Sequence, residues 1–251
     1  MNHIYIGLGN AAEAQLARYY EHYETTALDN STTLHAEFFV VTESERPELY
    51  LLDDHADALQ LGHVIQPIKV DTPSIKNALL YLREHRWLKM ETDEQQYWAE
   101  LIDSVEALPR RVLRFSLASC IEKILYHVHA AYLRLQSKYD DEGLVLHLLV
   151  DTNCLWAHAI LVDVIVQLRQ HYPSLFCRLS VYLLLPANFS QVKLNPTQST
   201  DLYATLVELN ALLNNVWMPE NLLNILPLNE DGNWVHVCYM VENDGEVHDV
   251  D

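Results

Sequence analysis

The sequence predicts a three-layer α/β protein, with a mainly parallel sheet covered by helices on both faces. Two observations carry that expectation. Apolar runs of strand length, such as "LVLHLLV" (144–150) and "LSVYLLLP" (179–186), recur along the chain, and continuous runs of this kind suit strands buried on both faces. Between them stand segments of ten or more residues with helical periodicity, and strands alternating with such helices imply parallel crossovers.

The elements follow in order. His3–Gly7 is a short apolar strand, and a helix runs from about Ala11 to Tyr23 with Ala14, Leu16, Ala17 and Tyr20 near one face. "AEFFVVTE" (36–43) is dense in β-formers, and "ELYLLDD" (48–54) is a candidate third strand. Residues 55–73 carry Gly62, Pro67 and Pro73 and are expected mostly as loop. Ser74 is placed to cap a helix through Trp87, and another helix is expected over 93–107. A long helix starts at Pro109, where Val112, Phe115, Ile121, Ile124, Val128 and Leu135 recur at helical spacing. Proline at a first turn removes an N–H that has no helical partner anyway.

After strand 144–150 the scheme repeats. Leu161, Val164, Ile165 and Leu168 form a helical stripe that Pro173 stops, and the strand 179–186 comes next. A polar loop is expected over 187–200, a helix through Leu202, Leu206, Leu209 and Leu213, and a last strand over 234–243. The organisation expected is one α/β domain over 1–241 and an acidic tail over 242–251.

At 251 residues and with half of them hydrophobic, the chain can bury a core. Its formal charge of −19 disfavours nucleic acid and acidic membrane surfaces, and Arg110-Arg111 is an isolated basic pair. Solubility, or a basic protein partner, fits this balance better. Cys120, Cys154, Cys177 and Cys238 show no C-x-x-C spacing, so reduced thiols in a cytoplasm are expected. The first residues, "MNHIYIGLGN", have no signal-peptide pattern, and no apolar run reaches about 18 residues.

Ligands of open parallel sheets bind at the carboxyl ends of the strands. Three loops stand there, 7–12, 151–158 and 186–190, with the end of the last strand at 242–245 as a fourth, and the first two carry the motifs. "GLGNAA" (7–12) fits G-x-G-x-x-A after a first strand, where Gly7 and Gly9 allow close backbone approach and the helix end offers N–H groups to an anion. Glu43, at the end of the second strand, is placed to meet a ribose hydroxyl if the ligand were NAD. The second loop, Asp151–His158, has no glycine. Thr152 or Asn153 is the expected N-cap of the helix after it, Asp151 adds negative charge, and Trp156 is bulky enough to fill the volume of a phosphate. His127 and His129 are two apart and point to different faces of a helix, so they do not chelate one metal; no metal site is expected. No H-E-x-x-H, G-x-S-x-G or G-x-x-x-x-G-K-[ST] pattern occurs, and no nucleophile has an evident base. Cys154, at a helix start, is expected as a small core residue.

Taken in order, these pieces resemble the tubulin/FtsZ superfamily, in particular its bacterial tubulin-like group. "IYIGLGNAAEAQL" is similar to the opening strand and I-G-L-G-G-T-G loop, and "LPRRVLRFSLASCI" to an R-x-x-G-R-x-A-type helix. "VYLLLPANFS" with "LYATLVELNAL" is similar to L-L-L-P-D-x-F followed by N-A-Y-A-A-L-x-E-L, with Glu208 at a packing position. "CYMVENDG" resembles the strand end whose asparagine contacts guanine.

The resemblance implies the N-terminal, Rossmann-like nucleotide-binding domain alone, without the family's central helix and second domain. It implies GTP or GDP contacts at Gly7, Gly9, Asn10, Asp151, Thr152, Asn153 and Asn243. The family's G-G-T-G-S-G loop, however, corresponds here to the glycine-free 151–158. The reading is therefore a non-catalytic tubulin-like scaffolding or regulatory subunit. It holds no cofactor, no catalytic residue and no nucleotide, and its partner is a tubulin-like protomer, another copy or a protein encoded beside it. A GTP-binding cytoskeletal protein with GTPase activity, or an NAD-binding protein through Gly7–Ala12, are the alternatives.

Overall fold

A computed structural model describes residues 2–30, 36–42, 65–70, 72–81, 90–104, 108–138, 143–172, 176–186, 196–214 and 235–242. Six strands form one sheet: β1 (Asn2–Leu8), β2 (Ala36–Thr42), β3 (Ile65–Lys69), β4 (Leu144–Asp151), β5 (Phe176–Leu185) and β6 (Val237–Glu242). Their order is β3-β2-β1-β4-β5-β6, and every neighbouring pair is parallel. The chain grows outward from β1 in one direction, then returns to β4 and grows in the other. The carboxyl ends of β1 and β4 therefore lie side by side at the point of reversal.

The helices are α1 (Asn10–Asn30), α2 (Thr72–Tyr81), α3 (Thr92–Leu101), α4 (Arg110–Leu113), α5 (Phe115–Lys138), α6 (Leu155–His171) and α7 (Pro196–Leu213). Along β1 the side chains alternate. Ile4, Ile6 and Leu8 enter a large core shared with α2, α3, α5 and α6, whereas Tyr5 packs against a smaller core with Ala12, Leu16 and Tyr20 of α1. All eight residues of β4 are buried, as a central strand covered on both faces requires. On the α1 side, rings stack across four strands: Phe38 on Tyr5 at 5.0 Å, Tyr5 on His147 at 4.3 Å, and His147 near Tyr182 at 5.9 Å.

Several sequence expectations change. Strand β3 occupies residues expected as loop, because proline is tolerated on an edge strand where its missing N–H breaks no central ladder. Ser74 does not cap α2, which already begins at Thr72, and α3 ends at Leu101, well before 107. The helix expected from Pro109 divides into α4 and α5 at Arg114, which keeps right-handed helical dihedrals. Helix α7 begins at Pro196, inside the stretch expected as loop, and a first-turn position suits that proline. The last strand begins at Val237. The candidate strand 48–54, the end of the helix expected through Trp87, and both Glu43 and Asn243 lie outside the described residues.

Candidate functional site

The turn after β1 and the turn after β4 meet at the point of reversal, and they fill each other's space. Gly9 has φ +90°, and a Cβ there would stand 2.9 Å from Asp151 Cβ and 3.0 Å from Cys154 Cβ. Gly9 is glycine because its backbone conformation and the opposing turn both exclude a side chain. A Cβ on Gly7 would come within 2.9 Å of Leu16 Cδ1, so that glycine lets α1 lie close on the sheet.

The buried carboxylate of Asp151 bridges the turns. Its Oδ2 accepts the N–H of Ala11, in the first turn of α1, at 3.0 Å, and its Oδ1 accepts the N–H of Asn153 at 2.9 Å. The N-terminus of a helix attracts anions through its unsatisfied N–H groups and dipole. In this chain the anion is supplied by the protein. Glu13, also buried, places a second carboxyl in the same first turn. A phosphate at α1 would have to displace Asp151 and share the helix end with Glu13, against like charge.

The remaining expected contacts are distributed differently. Asn10 opens α1, and its Oδ1 accepts the Thr42 hydroxyl at 3.3 Å. Thr152 is buried and faces β5: its hydroxyl donates to the Leu184 carbonyl at 2.8 Å, and its N–H to the same oxygen at 3.2 Å. Asn153 is exposed. Neither caps α6; the N-cap is Cys154, which makes no side-chain capping bond. The β4–β5 register draws Thr152 toward Leu184, and Asn153 stands one position ahead of the Cys154 N-cap. Trp156 does not fill the phosphate volume. It is buried in the large core, on the opposite side of the sheet from α1, and the turn's own Asp151 and Cys154 pack against Gly9 instead.

A polar cluster not anticipated from the sequence lies where α4, α6 and α7 meet. Arg110 donates twice to Glu208, at 2.6 and 3.0 Å, and Arg114 donates twice to Asp163 at 2.6 Å. Both are forked guanidinium–carboxylate pairs of the strong kind. Burial pushes the Asp163 carboxyl up, while Arg114 acts against it. His158 is wholly buried, with Nδ1 3.2 Å from the Thr205 hydroxyl. The same hydroxyl stands 3.0 Å from the carbonyl of Asp201 and 3.2 Å from that of His158, either of which can accept its one proton. Desolvation, with Arg110 nearby, holds the His158 pKa down to about 4. The signal available in the sequence was a lone acid inside the apolar run "ILVDVIV" and three arginines within five residues upstream. Glu208 is thus an ion-pair partner as well as a packing residue.

His127 and His129 have different neighbours, Phe39 and Tyr172 respectively. Cys120, Cys154 and Cys238 show no pairing with one another, and burial pushes the Cys120 thiol up to about 12. Among the described residues, no group of three or more metal-ligating side chains is placed to hold an ion, and no helix is long and apolar enough to cross a membrane.

No protein-family model matches this chain, and no curated protein matches it. Among solved structures, the crystal structure of TubZ from Clostridium botulinum phage c-st is similar over 97% of this chain and 52% of that chain, at 10% identity and a TM-score of 0.36. This chain spans about half the length of that protein.

Proposed function

We propose that this chain is a nucleotide-free, non-catalytic interaction domain on the tubulin/FtsZ pattern, a pseudo-GTPase that scaffolds or regulates a protein partner. One contact carries the reading: the Asp151 carboxylate accepts the Ala11 N–H at 3.0 Å, in the place where a nucleotide phosphate would bind the first helix. The glycine that stays in the first turn supports it, because the space a Cβ on Gly9 would need is taken by Asp151 and Cys154, so a close approach within the protein accounts for the glycine. The order of the motifs "GLGNAA", "LLLPANF" and "CYMVEN" supports the tubulin-like part, and the charge of −19 supports a basic protein as the partner.

Equilibrium titration with labelled GTP and GDP, and with NADH by fluorescence, tests the reading. The expected outcome is no saturable binding of any of the three. Guanine-specific binding in the micromolar range would overturn it in favour of a GTP-binding tubulin relative. NADH binding abolished by Gly9→Trp would favour a dinucleotide site.

A further inference from the structure

We propose that the outer edge of β6 is a docking strand for an extended, basic-flanked segment of a partner protein; this rests on the interaction-domain reading and names the surface that the domain uses. The strand order leaves two edges, β3 and β6. An edge strand offers a row of backbone N–H and C=O groups to any passing chain, and proteins blunt such edges with proline, lysine or a bulge. Strand β3, "IQPIK", contains Pro67 and Lys69. Strand β6, "VCYMVE", contains neither. Its register with β5 runs without a shift from Ser180↔Val237 to Leu185↔Glu242, so no bulge twists the edge away.

The side chains point the same way. Tyr239, Met240 and Val241 are 45%, 67% and 37% exposed. Successive strand residues face opposite sides of a sheet, so both faces are open along this edge. Tyr239 also stacks on Tyr182 at 5.1 Å and 21°, which gives one face a fixed aromatic shelf beside the open backbone. Among the described residues, no strand pairs with β6 on its outer side.

Charge selects the occupant. Glu230 and Asp231 precede β6 in the chain, Asp244 and Glu246 follow it, and residues 229–251 contain no lysine or arginine. A second copy would bring two chains of formal charge −19 together, and like charges repel. The complementary strand alternates apolar residues and carries lysine or arginine at its ends. Backbone hydrogen bonds to β6 would hold it, with the shelf reading its side chains and the net negative charge of the chain steering its approach.

The test uses a fluorescently labelled peptide of alternating valine and threonine with lysines at both ends, and a twin with glutamates at the ends. The full chain is expected to bind the lysine peptide saturably and to slow amide exchange across 238–241. Binding is expected to fall by about tenfold or more for the glutamate twin and for Met240→Lys. Met240 is exposed, so its variant should melt as the parent does; Tyr239→Lys provides a second probe of the same edge. Three results would overturn the proposal: no binding, equal binding by Met240→Lys, or concentration-dependent dimerisation that Met240→Lys abolishes. The GTP titration on the same samples separates the two failures. Guanine binding overturns the interaction-domain reading, whereas peptide binding indifferent to Met240→Lys overturns the edge alone.

Discussion

Gly9 and Asp151 are two halves of one arrangement. A side chain at Gly9 would demand a strained backbone at φ +90° and would collide with the Cβ atoms of Asp151, at the end of β4, and Cys154, at the start of α6. Gly9→Ala is accordingly expected to cost roughly 2–3 kcal/mol, read by urea denaturation, through strain and overpacking together. A glycine retained for a ligand would tolerate alanine better in the absence of that ligand, so a cost under about 0.5 kcal/mol would contradict the loop–loop account. The sequence marked Gly9 as special through its place after a strand. It could not say that the close approach is by Asp151, which is 142 positions away along the chain.

At the scale of elements, α4 is a single turn of helix with one ion pair on each side. Arg114 fixes it to α6 through Asp163, and Arg110 fixes it to α7 through Glu208. Asp163 is buried and its carboxylate takes both forks of the guanidinium, so removing one partner strands a charge in the interior. Arg114→Ala is expected to lower stability by roughly 3 kcal/mol, and the pair Arg114→Met with Asp163→Leu to recover most of that loss. Chemical denaturation of the two variants checks it; a double variant no better than the single one would show that packing, not the stranded charge, sets the cost. The helices themselves were legible from apolar spacing, α5 and α6 most plainly. The edge strand β3 was not, because Pro67 is a loop signal everywhere except on an edge, and edge position is decided only when the sheet assembles.

At the scale of the whole molecule, acid acts on two buried imidazoles among the described residues, His147 and His158. His158 stands among Arg110 and Thr205, and His147 lies against His3, Tyr5 and Tyr182 with Arg178 near; desolvation first, then these cations or His3, hold both pKa values down to about 4. In the unfolded chain both would protonate near pH 6.5. Between about pH 6.5 and 4 the unfolded state therefore binds more protons, so stability rises with pH there and is lost on acidification. The expected loss is on the order of 2–3 kcal/mol for each histidine by pH 4. Thermal melting from pH 7.5 downward measures it, and His147→Phe, which preserves the ring stack, should flatten the fall by about half. An unchanged pH profile in that variant would remove His147 from the account.

What the sequence by itself determined is the class of fold and most of its elements. Apolar runs with no polar alternation demand cover on both faces, and helical stripes between them demand parallel crossovers; both are local properties of the chain. The place of the candidate site was legible too, since strand ends at a reversal of order are where such sheets open. The tertiary structure alone decided what stands there. Whether an acid in a glycine-free turn caps its own helix or a neighbouring one depends on how two turns far apart in the chain are brought together. The β1–β4 register places Asp151 on the first turn of α1. No spacing in the sequence encodes that contact, because the helix end and the carboxylate are joined only through the sheet.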